Sequence, residues 1–140
     1  MMSRADEGAA ELSGLMQNFC ALTECAIRAC DSGDAAALAG ALDGRDLITR
    51  RLTPLLREML ARRRATPNDN ARAAFDRLLL PVRASAEEAR HINSELEMRA
   101  NVVRADLGAQ LGRLSHDDSA RSAYSAAVVP HSDSLLDIRR

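Results

Sequence analysis

Lysine and tryptophan are missing from this sequence, and the aromatics amount to two Phe and one Tyr in 140 residues. All 19 basic residues are therefore Arg, which excludes any chemistry that needs a Lys amine. With so few rings, the core has to come from Leu, Ala, Val, Ile and Met. Leu and Ala are strong helix formers and β-branched residues are scarce, so the chain leans towards helix before any pattern is read. No hydrophobic run approaches membrane-spanning length, and the amino-terminal stretch has no apolar segment of a secretion signal. Cysteine is limited to Cys20, Cys25 and Cys30, an odd number. That count without a signal sequence leads us to expect reduced thiols, a cytoplasmic location and no membrane insertion. Charge of one sign is not in excess either: the net charge is -1, so nucleic acid is not expected as a partner.

What remains is substantial. The hydrophobic fraction is 46%, which is not a disordered composition, and the length suits one domain. Leu12, Leu15, Met16, Phe19, Leu22, Ala26 and Ile27 recur at steps of three and four, which predicts a helix from about residue 9 to 30. Asp31-Ser32-Gly33-Asp34 breaks it, with Gly33 suited to end one helix and Ser32 or Asp34 to cap the next. A second helix is expected from about 34 to 64, with Leu38, Ala41, Leu42, Ile48, Leu52, Leu55, Leu56, Met59 and Leu60 on its stripe. Pro54 lies inside it and removes the amide that would bond the carbonyl of Arg50, which predicts a kink or short break there. Arg62, Arg63 and Arg64 suit the carboxyl end of the helix dipole.

A third segment is expected from about Pro67 to Leu114, with Thr66 as N-cap, Pro67 in the first helical position and Asp69 in a capping box. Its stripe is Phe75, Leu78, Leu79, Val82, Ala86, Ala89, Ile92, Leu96, Val103, Leu107, Leu111 and Leu114, and Pro81 should kink it early. Residues 115–140 show no stable periodicity and read as a mobile tail with two short apolar patches, one around Tyr124 and one at Leu135-Leu136-Asp137-Ile138. The fold class expected is all-α: an elongated antiparallel three-helix bundle over residues 1–114 with a long third helix, then the tail. No strand is needed anywhere.

The three helices are unequal, roughly 33, 46 and 70 Å at the rise of an α-helix. Short connections make neighbours antiparallel, so the stretch from about Arg99 to Leu114 has no helix opposite it. That stretch carries Val102, Val103, Leu107, Leu111 and Leu114. Covering an apolar stripe of this size contributes several kcal/mol at about 25 cal/mol per Å². The cover is the tail, a second copy of the chain, a partner's helix, or helix 1 if that helix is longer than its stripe suggests.

Known chemistries find little to build on. Glu88 and His91 have the Glu-x-x-His spacing of a di-iron bundle, but such a site needs two of these motifs, and the sequence has one. The cysteines, five residues apart, point to different sides of a helix and miss the spacing of zinc ligands, so at least one reads as a small buried hydrophobe. The run from Asp46 to Leu52 loosely resembles the Arg-rich helix of helical chorismate mutases, which typically also use a Lys. There is no glycine-rich phosphate loop and no nucleophile elbow. The sequence is therefore read as a non-enzyme without cofactor or metal.

Two stretches resemble the flagellar export chaperones of the FlgN and FliT type. One is the run from Ala29 to Leu38, followed by Leu42, Arg45-Asp46-Leu47-Ile48 and Leu52. The other is Arg99-Ala100-Asn101-Val102-Val103, then Leu107, Leu111, Leu114 and Tyr124. The family often doubles the Asn and places Gly just after it and near the Tyr; here Asn93 and Asn101 are separate and no Gly follows Tyr124. The resemblance implies a chaperone that binds hook-associated or filament-cap subunits before export and delivers them to the export gate. It implies that Val102, Val103, Leu107, Leu111 and Leu114 hold the client's amphipathic helix, and that Tyr124 contacts the gate. The alternatives are a structural helical module that forms a homodimer through the same stripe, and a helical enzyme of chorismate mutase type.

Overall fold

In the computed structural model, residues 3–128 are described, and every element among them is a helix: α1 (Arg4–Ser32), α2 (Ala35–Ala65), α3 (Asp69–Leu78) and α4 (Leu80–Val128). The all-α class expected from composition is what the structure has, with four helices rather than three.

Local chemistry explains the boundaries. Ser3 starts α1 with a capping box: its hydroxyl accepts from the amide of Asp6, and the Asp6 carboxylate accepts from the amide of Ser3. This cap lies nine residues before Leu12, the first residue of the apolar stripe, so α1 begins earlier than the stripe alone suggests. Those hydrogen bonds also hold the Asp6 carboxyl below its ordinary range. Gly33 ends α1 at φ 68, a left-handed conformation that glycine adopts without steric cost. Asp34 caps α2 by accepting from the amide of Ala37.

At the other end of α2 the expectation needs correcting. Thr66 does not cap the next helix; it closes α2, with its hydroxyl donating to the carbonyl of Arg62. Asn68 is the N-cap of α3, its side-chain oxygen accepting from the amides of Asn70 and Ala71. Pro67 therefore lies outside the helix. The long third segment is also divided. Pro81 has no amide to give the carbonyl of Arg77, so α3 stops at Leu78, Leu79 forms the turn, and α4 restarts at Leu80. Pro54, with the same deficit, leaves α2 unbroken.

The described residues divide into two compact units, one ending at Ala100 and the other beginning at Asn101. Within the first, two apolar clusters hold the helices together. One joins Cys20, Ala26 and Ile27 of α1 to Ala41 of α2 and to Ala89, Ile92 and Leu96 of α4. The other joins Ala9 and Leu12 of α1 to Met59 of α2 and Val82 of α4, with Phe75, Leu78 and Leu79 against it. The start of α1 thus meets the end of α2, and the end of α1 meets the start of α2. Backbones come close where side chains are absent: a Cβ on Gly8 would stand 2.7 Å from Met59 Sδ, and one on Gly44 would stand 3.0 Å from a Leu22 methyl. Polar ties cross the helices as well. Arg45 donates to Asn93 at 2.7 Å while lying over the Phe19 ring, Arg99 donates to Asp31 at 2.6 Å, and Arg51 donates to Glu11 at 2.8 Å.

In the second unit, the described residues continue α4 as far as Val128. Residues 115–128, expected to be a tail without regular structure, are helical. The patch at Leu135-Leu136-Asp137-Ile138 lies outside the described residues.

Candidate partner-binding surface

The stripe read from the third segment changes character along α4. Val82, Ala89, Ile92 and Leu96 are buried, whereas Val102, Val103, Leu107, Leu111 and Leu114 are all exposed. Leu107, Leu111 and Leu114 keep 53%, 66% and 60% of their surface in contact with solvent, which is high for leucines on what would otherwise be a core-facing pattern. Every residue from Asn101 to Tyr124 is exposed.

At about 100° per residue, Val103, Leu107, Leu111 and Leu114 fall within one face of the helix, about 80° wide. Val102 does not join them: it lies about 100° from Val103 and faces another side. Tyr124, 70% exposed, is also off the stripe, about 100° from its middle. Of the six residues singled out from sequence, four therefore form a continuous surface and two do not. A binder that covered the four would remove roughly half of each side chain's area from water, worth roughly 1 kcal/mol apiece.

Sequence reading missed a second apolar surface. Leu12, Met16, Leu52, Leu56, Val82 and Ala86 line a groove of about 240 Å³ in the first unit. Each of its leucines was assigned to a core stripe. Periodicity assigns a residue to an apolar stripe but does not say whether the stripes of three helices close over one another, so the sequence carried no signal for the groove. Leu47 and Met98, each 65% exposed, are further solitary apolar side chains, of a kind ordinary on protein surfaces.

The residues considered for chemistry are dispersed. Glu88 and His91 are both exposed, and no cluster of three metal-ligating side chains occurs among the described residues. Cys20 is buried with its thiol 3.9 Å from the carbonyl of Ser85, Cys25 is exposed, and Cys30 is half-buried. Burial pushes the Cys20 thiol above its ordinary value, with Glu88 and Glu24 adding to the shift, so it is a poor nucleophile. In the Arg-rich run of α2, Arg50 is exposed and Arg51 pairs with Glu11 at the surface, so these two do not converge on an enclosed anion site.

Comparison with protein-family models, with curated proteins and with solved structures found no match to this chain. No helix among the described residues is long and apolar enough to cross a membrane.

Proposed function

We propose that this protein is a flagellar export chaperone that holds hook-associated or filament-cap subunits through the apolar face of α4 and prevents their premature assembly. The observation that carries this reading is the exposure of Val103, Leu107, Leu111 and Leu114 on one helix face. An amphipathic helix from a client would complete that face by the ordinary helix-on-helix mode of peptide recognition. The client class comes from the resemblance in the two stretches around Gly33 and Val103. In this reading α1, α2 and the first part of α4 act as an antiparallel three-helix scaffold, and α3 is the elbow that turns the chain.

In this reading the binding set is narrower than the one the resemblance implies. Leu107, Leu111 and Leu114, with Val103, form the client surface. Val102 points elsewhere and contributes little. Tyr124, exposed and off the stripe, is free to meet the export gate while a client is bound. The dispersal of Glu88, His91, Arg50 and Arg51 gives an enzymatic reading no comparable support.

Co-purification with hook-associated proteins tests the assignment. Replacing Leu107 and Leu111 together with Asp is expected to abolish capture while leaving helicity intact, because both side chains are exposed in the free protein. Capture that survives the double substitution would remove the stripe from the mechanism.

A further inference from the structure

The whole-chain charge of -1 conceals a segregation. Residues 50–83 hold nine Arg against Glu58, Asp69 and Asp76, a local charge of +6, whereas residues 1–49 carry -5. The basic stretch is the second half of α2, all of α3 and the first turn of α4. The groove of about 240 Å³ lies against it. Leu52, Leu56 and Leu60 line the groove from α2, and Val82 and Ala86 line it from α4. Arg83 lines it too, and none of the described lining residues is acidic.

More arginines stand on its flanks. At about 100° per residue, Leu52, Leu56 and Leu60 span about 80° of α2. Arg64 continues that row by about a further 40°, and Arg57 lies about 60° from Leu60 on the same side. On α4, Arg90 falls about two turns beyond Arg83 and within about 20° of it. Arg57, Arg64, Arg83 and Arg90 are all exposed, and none takes part in an ion pair among the described residues. The neighbouring carboxylates lie further away or are already held. Glu87 is about 40–60° further from the groove around α4 than Arg83 and Arg90 are. Asp76 is paired with Arg63, and Glu7, Glu11 and Glu58 share a different surface with Arg51 and Arg62. The groove is thus apolar inside and cationic on both flanks.

We propose that this groove receives a two-turn amphipathic helix of a partner protein, with aliphatic side chains inside and Asp or Glu along both edges. Leucines at residues 52, 56 and 60 make a row about 12 Å long, close to two helical turns. A helix laid along it would stand fourth beside α1, α2 and α4, completing a four-helix bundle by the helix-in-groove mode. The volume is below the roughly 300–1,000 Å³ of small-molecule pockets. Leu60 keeps 42% of its surface in contact with solvent, so the groove is an open trough rather than an enclosed cavity. A nucleic acid would meet the same arginines, but its phosphates gain nothing from the leucines, and no aromatic side chain among the described lining residues offers a base a stacking surface. Arg on a carboxylate gives charge-assisted, often bidentate contacts, which favour an acidic helix over a basic one. The groove shares no residue with the α4 face assigned to a client, so the proposal does not rest on the export reading.

Fluorescence anisotropy of a labelled helical peptide, titrated with the full chain, tests it. The probe is about five turns long, with Leu at successive fourth positions on one face, Glu on both flanks and a side-chain lactam fixing the helix. The wild type is expected to bind it with a Kd of about 10–100 μM, as suits a small interface. A peptide with Arg in place of Glu should bind at least about tenfold more weakly, and one with Ser in place of Leu should not bind. Arg83→Glu should weaken the acidic peptide about tenfold and tighten the Arg-flanked one. Leu60→Asp should weaken both by at least about tenfold, with circular dichroism showing the fold unchanged, since Leu60 is exposed. No saturation by the acidic peptide below about 1 mM, equal binding of the Arg-flanked peptide, or indifference to either substitution would overturn the proposal. So would a single-stranded oligonucleotide or decanoate that binds more tightly than the peptide and displaces it. No hook-associated protein enters this assay, so its failure and the failure of the chaperone reading are distinguishable.

Discussion

Single residues decide how tightly the first unit is closed. Leu12 and Met59 are the largest fully buried apolar side chains, at 0% and 1% exposure, and both belong to the cluster that joins the ends of α1 and α2. Truncating either to Ala removes transfer energy and leaves a cavity, so each variant is expected to lose about 2–5 kcal/mol in denaturant unfolding. Leu12 was evident as core from its spacing, and so were Ile27, Ile92 and Leu96. The fully buried Thr23 was not, because nothing in a sequence says that its hydroxyl turns back to the carbonyl of Phe19 at 2.8 Å. That bond lies within one helix, so Thr23→Val should change stability by less than about 1 kcal/mol. Cys20 carries a pH signature. The folded state holds its thiol proton more tightly than the unfolded chain does, since burial raises its pKa. Its contribution to stability is complete below the ordinary thiol value of 9.0 and is lost as pH rises through the higher folded value. A Cys20→Ala variant should lose less stability than wild type between neutral and strongly alkaline pH. Thiol labelling near neutral pH should modify Cys25 first and Cys20 last.

At the scale of elements, the helices themselves were legible and their ends only partly so. Apolar periodicity located α1 and α2 to within a few residues, and Gly33 and Asp34 marked the turn between them correctly. The start of α1 was missed because a capping box is polar and lies outside the apolar stripe. The turn at Leu79 was misplaced for a different reason. Pro54 and Pro81 have the same missing amide, yet one is carried through a helix and the other divides two. Pro81 follows a segment, α3, none of whose residues is fully buried, while Pro54 lies in a long helix anchored on both sides by Ala41 and Met59. The missing amide alone therefore does not decide which proline ends a helix, and a local pattern does not contain the difference in burial that distinguishes the two. If the missing amide is what divides α3 from α4, Pro81→Ala should join them. Hydrogen exchange should then show new protection at the amides of residues 80–82, whereas unchanged exchange would assign the break to the packing of Leu79. Asn68→Ala should cost about 1 kcal/mol through the lost cap of α3, measured as a shift of the unfolding midpoint.

For the whole molecule, the proposed function rests on a contrast between buried and exposed stretches of one sequence pattern. The pattern runs through Ile92 and Leu96 to Val103, Leu107 and Leu111 without a change of residue type, so periodicity alone marks all of them as core. Comparing helix lengths was what separated the later residues, and their exposure agrees with that separation. Helical phase then removed Val102 and Tyr124 from the stripe, a step the residue numbers already allowed. The groove beside Leu52 and Leu56 stayed hidden because it depends on how α1, α2 and α4 pack, which apolar spacing within each helix does not contain.

The most direct test of the chaperone account is a titration of the purified chain with a hook-associated protein that retains its terminal helices, followed by calorimetry. The account predicts saturable binding by the wild type and a loss of at least about a hundredfold in Leu107→Asp/Leu111→Asp, since two apolar contacts become two desolvated carboxylates. Thermal unfolding of that variant should match the wild type. No binding by the wild type, or equal binding by the double variant, would contradict the account.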